Sequence, residues 1–489
     1  MSEIDTVDVI VVGYGFAGAA TALTAREEGA SVLILEKMPH GGGNSRVSGG
    51  NCVIANDNDE DAAGFVEYLD RLCFGTTGRP VIEALVRESR SLPAWFAELG
   101  SSLTVPDQLI VANTYPRTIK GPGFPAAPGG IGTFAKYCVP GPADVPPSRR
   151  MWEFLSAKVA DAGVEVRYNS RVTKLLRDGS GTVIGVRTED DADAREIRAR
   201  AGVVLTCGGF ENNPEMRTEH LPSTAMKFAG NPGNTGDGNR LVQEIGGDIW
   251  HMGRTSCIIG HQTDEFEAAF GIFFPAPGFI YVDQYGKRFV DETGIELHEF
   301  YRSLSEFDTE RVEYPRIPAW GIFTHSTRLA GPLTWRSSGY NRELYQWSED
   351  NSAEIAKGWI HTADDATQLA STIGTPDLAE TVARYNQYCD IGTDLDHRRA
   401  PGTLEPLTGR LYAIKLHPTI LNTQGGARRD ERGSVLDFAG RPIRGLYSAG
   451  EFGSIWGFLY QGASNITECL TFGRISGRNV LADARTVTA

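Results

Sequence analysis

The stretch VDVIVVGYGFAGAATALTAREEGASVLILE, Val7 to Glu36, reads strand, glycine turn, helix, strand. A mostly apolar run ends at Gly13, Gly13-Gly15-Gly18 gives the spacing G-x-G-x-x-G, an alanine-rich helical segment follows, and SVLILE closes on an acid. Each part has a task in holding a dinucleotide. The first glycine makes the turn, the second lets backbone approach a pyrophosphate, the third packs helix on strand, and Glu36 accepts from a ribose hydroxyl. Phe16 and Ala17 open the helix, whose free amides favour an anion. The charge of Glu36 disfavours a ribose 2′-phosphate.

Outward from this unit, EKMPHGGGNSRVSGG (Glu36–Gly50) places a second glycine-rich loop directly after the acid. Lys37, Gly42, Gly43, Asn44, Ser45, Ser48, Gly49 and Gly50 form a loop of backbone amides and small polar groups, suited to a pyrophosphate and a flavin. A nicotinamide domain has no need of it, so the expected cofactor is FAD. Further cofactor contacts are expected from the alternating strand through Val172, from AGVVLTCGGF at Cys207, Gly208 and Gly209, from GNTGDG at Asn234 and Asp237, and from GLYSAGE at Gly450 and Glu451.

Between about Thr255 and Leu404 the texture changes to aromatics, prolines and amphipathic helices such as TPDLAETVARYNQYC. The reading is α/β: a Rossmann-like FAD-binding domain over residues 1–254 and 405–489, with an inserted α+β cap, the catalytic domain, over 255–404. A chain of 489 residues exceeds the size of one hydrophobic core and divides in this way.

Composition excludes several classes. The 47 basic residues are scattered among 62 acidic ones, for a net charge of −15, so neither nucleic acid nor an anionic membrane is an expected partner. VDVIVVG is too short for a membrane span, and the acidic start lacks the basic region of a secretory signal, which gives a cytoplasmic location as the expectation. The seven cysteines show no C-x-x-C pair, haem-attachment motif or iron–sulfur run, and no metal site is expected. There is no G-x-S-x-G elbow and no H-E-x-x-H helix.

The motifs GGNS and SGG, TCGGFENN (Thr206–Asn213), GNTGDG, GKRFVDE (Gly286–Glu292), LNTQGGARRD (Leu421–Asp430), GLYSAGE and FGRISGRN together resemble the flavoprotein family of fumarate reductases, succinate dehydrogenases and 3-ketosteroid dehydrogenases. The resemblance covers most of the chain. It implies that Glu451 and its glycine neighbour contact the ribityl and pyrophosphate, and that a helix opening at Ser464, Asn465 and Ile466 points its amides at the flavin, stabilising charge on the reduced ring. Relatives with covalent FAD use a histidine near the second glycine loop. Asn44 and Ser45 occupy that region here, with His40 earlier in the loop, so noncovalent FAD is expected.

Matching the dicarboxylate anchors of the fumarate reductases lands on Ile258, Trp456 and Tyr460, which would leave a carboxylate desolvated and unpaired. A bulky, mostly apolar substrate fits better. YQGAS resembles the loop in which 3-ketosteroid dehydrogenases grip a ketone oxygen, implying the Tyr460 hydroxyl and the Ser464 amide as an oxyanion pair. A base then takes the proton beside the ketone while the neighbouring carbon gives hydride to flavin N5. His298 and Tyr301 are candidates for that base, and Tyr314, Tyr115 and Trp456 for substrate contacts.

The function implied is FAD-dependent oxidation of a CH–CH bond next to a ketone, in the manner of 3-ketosteroid dehydrogenases, with an apolar ketone substrate and a separate electron acceptor or donor. Two alternatives stay open: a reductase of C=C bonds in enones or unsaturated acids, and a flavin electron-transfer subunit whose partner holds the active site.

Overall fold

Strand Asp5–Val12 runs through an eight-stranded sheet in the computed structural model, which describes residues 5–106, 121–189, 194–335 and 338–488. It pairs in parallel with Val32–Leu35 on one side and Ala194–Leu205 on the other, and Glu165–Arg167 and Pro442–Ser448 extend the parallel set. Arg171–Arg177, Val183–Glu189 and Ser434–Leu436 add antiparallel strands. Parallel strands are covered on both faces, and Val9, Ile10 and Val11 accordingly expose nothing.

Alternate residues divide between two cores. Val9 and Val11 face helices Phe16–Glu27 and Ser464–Thr488, whereas Ile10 and Val12 face Val172, Leu241 and Val242. The two helices pack backbone to backbone. A Cβ on Gly473 or Gly477 would lie 2.8 Å from Ala17 O or Thr21 O, so the glycine spacing of FGRISGRN sets this contact. The C-terminal helix thereby carries its first turn to the edge of the dinucleotide unit.

A second, seven-stranded sheet is built around Leu411–Thr423. This strand pairs antiparallel with Thr255–His261, Ala319–Thr324 and Ile360–Ala363, and parallel with Lys227–Phe228. Leu411–Thr423 thus joins strands drawn from both sides of residue 255, and the first sheet resumes at Ser434–Leu436. GKRFVDE closes its turn with a buried ionic cluster: Arg288 Nη2 bonds Glu292 and Asp394 at 2.9 Å each, and Arg399 adds a contact to Glu292 at 3.3 Å. This cluster anchors the segment that carries Glu296 and His298 to the site. No helix among the described residues is long and apolar enough to cross a membrane.

Candidate active site

Two cavities meet at the C-terminal edge of the parallel sheet. The first is lined by Gly13, Gly15, Phe16, Ala17, Glu36, Lys37, Gly43, Asn44, Ser45, Val172, Cys207, Gly208, Asn234, Asp237 and Glu451. Gly13 has φ +104°, and a Cβ there would sit 2.4 Å from Thr206 O, so only glycine turns the chain this way. A Cβ on Gly18 would lie 2.2 Å from Gly13 O, the close helix–strand packing expected of the third glycine.

The helix Phe16–Glu27 has Gly15 at its N-cap with no side-chain cap, and Phe16 N donates to Ser45 Oγ at 2.9 Å. Glu36 is 8% exposed and accepts from the amides of Tyr14 and Met38 at 2.9 Å each. Asp237 takes Lys37 at 3.0 Å and Arg171 at 2.7 Å. Gly42, Gly209 and Gly450 stand behind the lining. Gly42 N donates to Tyr14 O at 2.7 Å, tying the second glycine loop to the first, and Gly450 brings its turn against Ala17 and Cys469.

Where the cavities meet, Asn44 Nδ2 donates to Glu211 at 2.7 Å and to Glu451 at 3.1 Å, and Asn234 Nδ2 also donates to Glu211 at 2.7 Å. Glu211 exposes nothing, and its Oε2 has no hydrogen-bond partner. Burial pushes Glu211 up to about 7, and Glu451 is raised by burial and then by the Glu211 charge. Glu211 lies within the motif TCGGFENN, yet only the folded chain brings it beside Glu451.

The second cavity is largely apolar and includes Ser48, Gly49, Gly50, Lys136, Ser256, His298, Tyr460, Asn465 and Ile466 in its lining. Tyr460 is held from both ends. Its amide donates to Glu299 at 3.0 Å, Glu299 takes Arg302 at 2.6 Å, and Arg302 reaches back to Phe458 O at 2.6 Å. Burial raises its phenol above the ordinary value, so the hydroxyl stays protonated. His298 Nδ1 shares a hydrogen bond with Glu296 at 2.9 Å, and Glu296 also accepts the His298 amide at 2.6 Å. Gly462 makes the room: a Cβ there would come within 2.8 Å of His298 Cε1. Lys136, 4% exposed, is pulled down to about 8 by burial, with Glu296 opposing.

Several residues named from the sequence lie elsewhere. The Ser464 amide donates to Gln461 O at 3.1 Å and its hydroxyl to the same carbonyl, so it offers no donor to the cavity. The amide aimed at the Tyr460 hydroxyl is that of Asn465, at 3.5 Å. The reason is Ala463, whose φ of +79° turns the loop one residue before the helix begins. Trp456 is 1% exposed and packs with Val53, Phe65 and Ile455, touching Tyr460 edge-on at 5.6 Å without lining either cavity.

Ile258 is core. A register shift between Ser256 and Cys257 breaks the strand's alternation, and Ser256 lines the cavity instead. Tyr301 is buried against Phe210, Met226 and Phe228, and Tyr314 donates to Pro222 O at 3.0 Å; neither reaches the cavities. Tyr115 lies outside the described residues. His40 lines neither cavity.

The residues fit FAD on structural grounds. The first cavity has a cradle that side chains would fill, uncapped helix amides and an acid with acceptor capacity remaining; the second receives the first turn of Ser464–Thr488 through Asn465 and Ile466. Cys469 lines both cavities, and burial pushes it up to about 12, so it stays a neutral thiol.

Comparison with known proteins agrees. Residues 8–466 match the family model described as FAD binding domain. Over 98% of the chain, the sequence is 28% identical to the probable fumarate reductase Ifc3 of Shewanella frigidimarina (76% of that protein) and 29% identical to the 3-oxosteroid 1-dehydrogenase of Mycolicibacterium smegmatis (97% of that protein). The 3-ketosteroid delta1-dehydrogenase from Sterolibacterium denitrificans shares the fold, with a TM-score of 0.82 at 22% identity, covering 98% of this chain and all of that one.

Proposed function

The chain belongs to the FAD binding domain family, and from that premise we propose that it oxidises a CH–CH bond next to a ketone in a bulky apolar substrate, 3-ketosteroids being the best-supported class. FAD supplies the two-electron acceptor for the hydride lost by the substrate. The carrying observation is the Tyr460 hydroxyl in a largely apolar cavity beside the His298–Glu296 dyad.

Tyr460 donates to the ketone oxygen and stabilises the charge that develops there. His298, held through Nδ1 by Glu296, accepts at Nε2 the proton from the carbon beside the ketone. The apolar wall excludes water and binds the hydrocarbon body. The cofactor is held noncovalently, since the second glycine loop offers Asn44, Ser45 and Ser48 to the cavities. A cytoplasmic location and a separate electron acceptor belong to this reading.

Lys136 in the same cavity favours a second reading, reduction of a C=C bond in an unsaturated acid, because a buried cation pairs with a carboxylate. The relatives include enzymes named for both chemistries. Titrating the FAD-loaded protein anaerobically with a 1,4-dien-3-one steroid tests the first reading. A perturbed flavin absorbance in the wild type that weakens in Tyr460→Phe supports it; no perturbation in either overturns it.

A further inference from the structure

We propose that Glu211 and Glu451 form a proton-binding site coupled to the cofactor: FAD enters with uptake of one proton, which the two carboxylates share. The geometry carries this. A Cβ on Gly209 would lie 2.6 Å from both Glu211 Oε2 and Glu451 Oε1 and 2.2 Å from Thr423 Oγ1, so the two carboxylates crowd one glycine with only neutral side chains, Thr423 and Asn44, beside them. A single amide group, Asn44 Nδ2, bridges the pair. Glu451 lines both cavities, and Glu211 Oε2 is fully buried without a partner.

Among the described residues no cation hydrogen-bonds either carboxylate, and the positive charge that acts on Glu211 is that of Arg217, through space. From the second glycine loop comes neutral Asn44, and from the loop after Gly233 neutral Asn234. Arg217 spends its hydrogen bond on the backbone carbonyl of Glu211, at 2.7 Å. Arg429 is committed to Glu468, itself a further negative group near Glu451, and Lys37 to Asp237. The C-terminal helix offers the neutral Cys469 thiol. Two like charges so placed do not both stay ionised in a dry site. FAD brings a negatively charged pyrophosphate and displaces water, and both changes raise the pair's affinity for a proton.

The balance is simple: one proton leaves solvent and binds the pair, with no electron or bond to heavy atoms involved. Calorimetry of FAD binding to the full-length apoprotein in buffers of different ionisation heat counts that proton. Scanned from about pH 7 to about pH 10, the wild type is expected to take up about one proton per FAD in the interval between the pair's pKa without and with FAD, and Kd rises about tenfold per pH unit within that interval. Glu211→Gln is expected to bind FAD with no proton uptake and a flat pH profile; should it fail to fold, infrared difference spectra of the wild type on FAD binding replace it, with the gain of one protonated-carboxyl C=O band expected. Zero uptake by the wild type, or the same uptake in the folded variant, overturns the proposal.

Discussion

The imidazole of His298 meets the phenol of Tyr460 edge to face, with ring centroids 5.1 Å apart and planes at 86°. The two come from different parts of the fold, His298 from the 3₁₀ turn Leu297–Glu299 and Tyr460 from the loop before the C-terminal helix. Each is held by its own carboxylate, Glu296 and Glu299. A proton acceptor and a hydroxyl donor on one cavity wall are what enolisation of a ketone requires.

Tyr460→Phe removes the hydroxyl and little volume. FAD content is expected to stay at wild-type level, while kcat for ketone oxidation falls by about 10²–10³, the cost of losing one oxyanion donor. Steady-state kinetics beside the flavin spectrum reads both quantities, and unchanged turnover removes Tyr460 from the chemistry.

His298→Ala takes away the proton acceptor and is expected to lower kcat by about 10²–10⁴. Glu296→Gln keeps a hydrogen-bonding partner for the imidazole but not its charge, and is expected to fall between that variant and the wild type. A solvent-exchange assay of the substrate's α-hydrogen separates the effect from hydride loss. Exchange as fast in His298→Ala as in the wild type assigns the base elsewhere.

Gly462→Ala forces the imidazole aside, since the new Cβ lies 2.8 Å from its Cε1. Displacement on the scale of 1 Å is expected to cost up to about 10²-fold in kcat without loss of FAD. Stopped-flow kinetics checks the rate and thermal melting checks that the fold is kept.

Asp237 sets a pH limit on the fold. Burial works to raise its pKa, but hydrogen bonds and charge from Arg171 and Lys37 outweigh it and hold the carboxyl at about 2, against 3.8 unfolded. The depressed value means a contribution of about 2 kcal/mol that is complete above pH 3.8 and disappears as pH falls to about 2. Denaturant melts at stepped pH are expected to show this loss in the wild type and a smaller one in Asp237→Asn.

The dinucleotide unit was legible because its requirements are local. Gly18 and Glu36 act on neighbours within one strand–helix–strand segment, while Gly13 meets Thr206 on the adjoining strand, and both glycines mark positions where a side chain cannot fit. The second site depends on segments that meet only in the fold. Lys136 reaches the cavity from a short strand paired with Cys52–Ala55, and Glu211 finds Glu451 across the sheet's edge.

His298 and Tyr301 are three residues apart but diverge, because the 3₁₀ turn Leu297–Glu299 ends before helix Tyr301–Leu304 starts and the tyrosine turns into the core. A backbone detail, the positive φ of Ala463, decides that Asn465 rather than Ser464 aims its amide at Tyr460. Ile258 misleads for a similar reason, since the register shift before Cys257 hands the cavity to Ser256.

The central claim is tested most directly by mixing the FAD-loaded protein anaerobically with a saturated 3-ketosteroid, its 4-ene, succinate and fumarate in turn, and following flavin absorbance near ~450 nm. Bleaching by a ketosteroid, and by no dicarboxylate, is the predicted result. If the oxidised protein is inert to every ketone and only its dithionite-reduced form responds, with fumarate or another unsaturated acid restoring the band, the ketone account is contradicted and Lys136 becomes the residue that selects the substrate.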